Sequence, residues 1–554
     1  MKNFTTSSTR FIALAVPLLC SISANASPFA RNTTQATTTK TTATKTVSKT
    51  AATIPVVKKT LANGLTVLVQ ENRAAPVVAV RMYVRTGSIY EGQYLGSGIS
   101  HLFEHNLSEG TSTRTKEQVN EDVQGIGGQS NAYTSFDVTA YHITTAASYF
   151  GRALDSLSDM MQNATFPEAE VKTQQGVIHN EMNLGEDDPD RVLSKLFFET
   201  AFRVHPVRYP IIGFRSQFDA ITRADIVNYY QTHYTPENTI VSVAGDVNAT
   251  DVMAAVEKQM GAWPRRNAQT PVLPDEPRQS SARRAVVEKD VSQSQMQIGW
   301  HTIPLQHPDL YALDTLAEVL GGSESSRLVR NLRERGLVSS IGAWSSTPNY
   351  NAGVFGIRAT LKPGDAAKVE AAIWNEIAKI KANGITADEL KRAKRGVESS
   401  FVFSNSSVEN QAEQIAYDEM NTGDPEYSKQ YVARMQAVTG AQVQQMARKY
   451  LSRDGVTVAS VVPRGSIQSA ASNAAKIDVK APQMFRLANG VRLIVRENRA
   501  SPTVAIAAYN LGGARVEPQN KAGISALMGE LLTDRKSTRL NSSHSTLSRM
   551  PSSA

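Results

Sequence analysis

The apolar positions of this chain change period as it runs. Short runs rich in Val, Leu and Tyr, from Leu65 to Gln70 and from Val77 to Arg85, read as strands. Ile99, Leu102, Phe103 and Leu107 then fall at i, i+3, i+4 and i+8, the spacing of one helix face. Ser97, Gly98 and Ser100 offer capping groups at its start. A second helix is predicted from Pro167 to about Asn183, with Val171, Ile178 and Met182 as its apolar stripe. Thr165 is its candidate cap, Pro167 stands near the first helical position, and Glu168 and Glu170 put acid in the first turn. Strands mixed with amphipathic helices in this way predict an α+β fold of mostly antiparallel sheet flanked by helices.

Two breaks divide the pattern. A Pro-punctuated linker, 264–284, separates a first domain, 55–263, from a second, 285–463, each of ordinary domain size. A Ser/Ala-rich linker, 464–482, precedes a piece, 483–533, of about 50 residues, too small to bury a core of its own. Its apolar strand Val491 to Val495 is expected to be exposed. That piece repeats the start of the first domain, with three blocks at one shared offset. Leu61-Ala62-Asn63-Gly64 recurs as Leu487-Ala488-Asn489-Gly490, Glu71-Asn72-Arg73-Ala74 recurs as Glu497-Asn498-Arg499-Ala500, and Pro76 recurs as Pro502. So long an offset marks a duplicated module and not a solenoid.

The two ends stand outside the fold. Lys2 and Arg10 precede an apolar stretch, Phe11 to Leu19, and Ala24-Asn25-Ala26 gives a cleavage site, so 1–26 reads as a secretory signal peptide. The stretch is too short to span a bilayer. The one cysteine, Cys20, lies inside it behind Leu19, where a lipid-anchored precursor needs a small residue. The mature protein is therefore expected to have no thiol for catalysis or disulfides, no membrane anchor, and a place in the periplasm. Residues 27–54 are a Thr/Lys-rich tether, expected to be disordered. At the other end, Asp534 to His544 and Ser548 to Ala554 match a translated sequencing-library adapter. Residues 534–554 are accordingly expected to be foreign, with the natural chain continuing beyond Thr533.

Charge adds one exclusion. The chain carries +8 overall, but residues 1–60 hold eight Lys/Arg and no acid, and 534–554 nets +3, which leaves −3 for 61–533. A near-neutral body offers no footprint for nucleic acid, and the sequence has neither a Gly-rich phosphate loop nor Cys/His finger spacing.

The candidate chemistry sits on the first helix. Residues 101–105 read His-Leu-Phe-Glu-His, placing His101 and His105 on one side, as two ligands of one metal must be. Glu104 stands where it can reach a metal-bound water without ligating. Taken alone, the motif also fits two surface histidines on an amphipathic helix. Glu181, late in the second helix, reads by itself as a solvated face residue.

More of the chain resembles one family. The H-x-x-E-H order, a glutamate on a later helix at Glu181 and the following Asp188-Pro189 resemble the pitrilysin/insulinase family of inverzincin metallopeptidases. Gly127 to Thr134, His205-Pro206, Ala244-Gly245-Asp246 and the stretch from Gly321 to Glu334 extend the resemblance in order. It implies one Zn²⁺ per chain held by His101, His105 and Glu181. Glu104 would be the base that deprotonates a water whose pKa the metal has lowered to about 7. It also implies a peptide or unfolded protein substrate added as a strand against Asn131 and Ala132.

Two departures from the family pattern follow. A glutamate common seven residues before the third ligand is Gln174 here, a neutral amide beside the ligands. Ser339 stands where a family tyrosine would reach across to the zinc site. In the repeated module both histidines and the base are replaced, with Ala526, Gly529 and Glu530 in their places, so that copy is expected to be inactive. The site is then expected to need the missing second half, or a partner chain, and the chain as it stands to cleave poorly. Two functions are open: a periplasmic zinc endopeptidase, or a non-catalytic peptide-binding or assembly subunit of the same fold.

Overall fold

The computed structural model describes residues 55–267, 271–467, 482–497, 506–509 and 512–533. The signal peptide with Cys20, the tether to residue 54, the 534–554 tail, most of the second linker and the repeat positions Asn498, Arg499, Ala500 and Pro502 lie outside them.

The described residues from 55 to 467 form one compact unit built on two sheets. The first contains β1 (Val57–Thr60), β2 (Thr66–Glu71), β3 (Val77–Val84), β4 (Gln129–Thr134), β5 (Thr139–Ala146) and β6 (Thr239–Gly245) in the order β1-β2-β6-β3-β5-β4. All its pairings are antiparallel except β2 with β6. The second contains β7 (Arg283–Lys289), β8 (Ser294–His301), β9 (Val338–Ser346), β10 (Val354–Leu361) and β11 (Val456–Pro463) in the order β7-β11-β8-β10-β9, with only β11 and β7 parallel. Strand β7 begins inside the expected linker, at Arg283. The fold is α+β with mostly antiparallel sheet, as the residue pattern predicts.

Each sheet is covered on both faces, and one cover of each is borrowed. The helix Val408–Thr422 from the second half lies on the first sheet, where Ala412, Ile415 and Ala416 meet Leu68, Ala79, Tyr83 and Ala244. Ser242 Oγ donates to Ala412 O at 2.7 Å, and buried Arg81 reaches Glu409 and Glu413 at 3.2 and 3.3 Å. In return α5 (Pro189–Ala201) packs Leu193 and Phe197 on the second sheet. Gly299 in β8 makes that possible: a Cβ there would come within 2.5 Å of the Phe197 ring. The linker separates two sheets in sequence, but the exchange of helices makes them one body.

The second unit is small. β12 (Gln483–Arg486) and β13 (Arg492–Val495) form an antiparallel hairpin, and a helix runs from Ile524 to Thr533. Leu493, Ile494 and Val495 are 45%, 67% and 43% exposed, as expected of a fragment without a core. Its turn repeats that of the first module. Leu61 N–H donates to Leu65 O at 2.8 Å, and Leu487 N–H donates to Val491 O at the same distance. Gly64 and Gly490 both take left-handed φ, +90° and +85°, which explains a glycine at that step of each copy.

Candidate metal centre

Helix α1 (Ile99–Asn106) starts from Gly98 in the left-handed region, φ +75°, against the backbone of Ile212. A Cβ at Gly98 would stand 2.3 Å from Ile212 O. The first turn is capped from a distance: Glu91 Oε1 accepts the Ser100 N–H at 3.0 Å, and Ser97 Oγ accepts the Ile99 N–H at 3.3 Å. Ser100 does not cap. Its hydroxyl bonds to the Tyr229 hydroxyl at 2.8 Å. Ile99, Leu102, Phe103 and Leu107 enter the main core, with Phe103 packed on Tyr234 at 4.0 Å between ring centres. His101 and Glu104 face the other way, yet they too are buried, at 5% and 9% exposure.

The second helix, α4, runs from Glu168 to Asp187, one turn past the predicted end. Pro167 takes the cap position, and Thr165 instead donates its hydroxyl to Gly110 O at 3.2 Å. Val171, Ile178 and Met182 are buried as the stripe requires, which turns Glu181 toward α1.

His101 Nε2 stands 3.7 Å from Glu181 Oε2, and His105 Nε2 stands 3.9 Å from Glu181 Oε1. Three ligand atoms, one from each residue, lie within 4.8 Å of one another. These gaps are too long for hydrogen bonds, and His105 Nε2 is buried with no hydrogen-bond partner. Atoms sharing a tetrahedral zinc at about 2.0–2.1 Å sit roughly 3.4 Å apart, so the set is close to the size of the ion. Two imidazoles and a carboxylate are also the right donors.

The protonation states fit as well. Burial lowers the pKa of His101 to about 3, with smaller electrostatic contributions from neighbouring His105 and Arg191, so at neutral pH the ring keeps a free lone pair. Burial raises Glu181, opposed by His105 and Arg191. Glu104 is pushed up to about 7 by burial; the Thr134 hydrogen bond opposes the shift and the charge of Glu181 adds to it. A carboxyl poised there can take a proton and return it.

Comparison with known proteins places the chain. The model of insulinase (peptidase family M16) matches residues 66–214, and that of the peptidase M16 inactive domain matches 220–397. The chain belongs to peptidase family M16. The uncharacterized zinc protease YmxG of Bacillus subtilis is 28% identical over 415 residues, 75% of this chain and 100% of its own length. A probable mitochondrial-processing peptidase subunit beta of Arabidopsis thaliana is 28% identical over 418 residues, 73% of this chain and 78% of its own. A protease from Helicobacter pylori has a TM-score of 0.70 and 27% identity, over 74% of this chain and all of its own.

Within this M16 chain the other predicted residues divide. Asn131 and Ala132 lie on β4, the open edge of the first sheet. Ala132 packs toward the α1 side, while the alternation of the strand puts Asn131 on the opposite face with Tyr133. Asn131 Oδ1 accepts the Ala132 N–H at 3.0 Å. Gln174 faces the ligands, bonded to His105 Nδ1 at 3.1 Å. Ser339 is exposed on β9 and donates to Thr360 O at 3.2 Å. Sequence reasoning missed Thr134, whose hydroxyl donates to Glu104 Oε2 at 2.7 Å. It also missed Glu109, Lys116 and Arg191. Only the strand register marks Thr134, two positions from Ala132 on the same face.

Proposed function

We propose that this chain carries the zinc ligands and general base of an endopeptidase acting on peptides or unfolded protein in the periplasm. The observation that carries it is the convergence of His101, His105 and Glu181 with a buried carboxyl, Glu104, on the same helix face. Bound there, zinc supplies a Lewis acid that acidifies water and neutralises charge developing on a peptide carbonyl. Glu104 takes the water's proton and hands it to the leaving amine, while Thr134 fixes the carboxylate's direction. The open edge of β4 supplies unpaired backbone groups against which an extended substrate can lie. Periplasmic placement rests on the leader pattern of residues 1–26, and cell fractionation tests it.

Ser339, standing where the family pattern has a tyrosine, is spent on its own sheet and is too short to reach across a cleft. We therefore assign completion of the site to a second half or a partner chain. The second reading, a non-catalytic peptide-binding or assembly subunit, is favoured by that incompleteness. Glu104→Gln separates them: a peptidase keeps zinc and loses turnover, whereas a binding subunit is indifferent in both. Peptide turnover by residues 27–533 equal to that of a longer natural chain would refute the need for completion.

A further inference from the structure

His105 is oriented by residues that are not themselves candidate ligands. Its Nδ1 lies 3.1 Å from Gln174 Oε1, an atom that can only accept, and Gln174 Nε2–H donates to Glu109 Oε1 at 2.9 Å. Glu109 is buried, at 7% exposure, and Lys116 Nζ pairs with it and with Glu170, the latter at 2.9 Å. Glu109 comes from the turn after α1, Lys116 from the first residue of α2 (Lys116–Gly125), and Gln174 and Glu170 from α4. The Glu109 N–H donates to Asn106 O at 3.2 Å, which ties the turn to the end of α1.

An amide has a donor end and an acceptor end, so its orientation carries information that a carboxylate's does not. With its oxygen toward His105, Gln174 accepts Nδ1–H and leaves the Nε2 lone pair directed at the ligand cluster. Reversed, its NH₂ would face Nδ1, select the Nε2–H tautomer and block ligation. Glutamine alone does not choose between the two. Glu109 turns Oε1 to the amide as an acceptor and Oε2 to Lys116, so it takes the N–H end and decides the orientation.

We propose that Glu109, acting through Gln174, is a positioning residue that selects the Nδ1–H tautomer of His105 and thereby sets the metal affinity of the site. This rests on the reading of His101, His105 and Glu181 as zinc ligands. Partners of this kind typically change metal affinity by about 10–100-fold when removed.

The test is a chelator-competition titration with zinc on the full chain. It is paired with nitrogen shifts of His105 in ¹⁵N-histidine-labelled, zinc-free protein and with thermal melts of the same sample. Glu109→Leu is expected to weaken zinc by roughly tenfold or more and to move His105 toward a tautomer mixture. Adding Gln174→Glu to that variant restores both, because a carboxylate accepts at either oxygen and needs no orienting partner. A purely structural role for Glu109 would leave the tautomer unmoved and give no rescue. Should the melt find Glu109→Leu unfolded, Glu109→Ser, too short to reach the amide, replaces it, and Gln174→Leu on α4 gives the same loss. His105→Ala is the control. If it binds zinc like the parent chain, the ligand assignment fails. If it loses zinc while the Glu109 and Gln174 variants keep parental affinity and tautomer, the relay alone is overturned.

Discussion

Thr134 Oγ1 donates a 2.7 Å hydrogen bond to Glu104 Oε2, joining the last residue of the edge strand to the candidate base. Strand and base are thus linked: the strand on which a substrate would lie also aims the carboxylate. The bond stabilises the ionised form and opposes the burial that lifts Glu104 to about 7. Thr134→Val should therefore raise the Glu104 pKa, and activity that needs the carboxylate should fail at higher pH on its acid limb. A charge-assisted bond of about 1.5 kcal/mol corresponds to about one pH unit. A pH–rate profile of the completed enzyme checks this, and an unmoved acid limb would remove Glu104 from the base role.

Zinc should also report on the ligands through stability. A metal that binds only the folded chain adds about 2.7 kcal/mol at a hundred times its Kd. Melting temperature should rise with zinc in the parent chain and fail to rise in His101→Ala or Glu181→Ala. The same rise in both variants would place the ion elsewhere.

The sequence carried the motif face of α1 and the stripe that turns Glu181 inward, because both depend on helical period alone. It did not carry the cap. Glu91 reaches Ser100 N–H across nine residues of irregular chain, and no local pattern marks it. The repeat makes that cap visible in retrospect. Glu517 follows Glu91 at the same offset that separates the two Leu-Ala-Asn-Gly turns. It accepts the Ser525 N–H at 2.9 Å and the Gly523 N–H at 2.6 Å at the start of the corresponding helix. The second copy has kept the cap and lost the counterparts of His101, Glu104 and His105, so the cap does not depend on the motif. The helix exchange was equally silent. Residues Val408–Thr422 and Pro189–Ala201 have ordinary amphipathic patterns, and a pattern says that a face is covered without saying by which half.

That exchange has a measurable consequence. Phe197 is 1% exposed between α5 and the second sheet, so Phe197→Ala should cost about 3–5 kcal/mol. Gly299→Ala should also destabilise, since its Cβ would collide with that ring, and the two changes together should cost less than their sum. Because each sheet lends the other a helix, both should melt in one transition. Two transitions resolved by calorimetry, with only the second shifted by Phe197→Ala, would separate the halves.

Acid should weaken the second half through Glu389. Burial alone would raise this carboxyl, but Arg327, at 2.7 Å to each oxygen, and the Thr386 backbone hold it down to about 2. A depressed folded pKa contributes stability that is complete above the unfolded value near 4.5 and is lost as pH falls toward 2. The contribution is on the order of 2–3 kcal/mol. Arg327→Met should be less stable at pH 7 and should flatten the acid limb of urea-denaturation midpoints between about pH 5 and 2. An unchanged acid limb would mean that the pair does not set it.

Glu91 works in the opposite sense. Its carboxyl is 1% exposed, with Oε2 lacking a hydrogen-bond partner, and burial lifts its pKa to about 8 despite the N–H groups of Ser100, Gly98 and Gly96. A folded pKa above the unfolded value makes ionisation cost stability. The cost is absent below about 4.5, grows as pH rises, and is complete above about 8. Glu91→Gln keeps one acceptor for the cap and cannot ionise, so whatever its stability at pH 5, it should gain on the parent chain as pH rises. Between those limits the gain is about 1.4 kcal/mol per pH unit at its steepest. Denaturation of both chains from pH 5 to 9 measures the difference directly. Parallel curves would mean that Glu91 stays ionised throughout, held by the helix end that it caps. Helix α1 would then start from a buried permanent charge, and Glu91→Gln should loosen it equally at every pH.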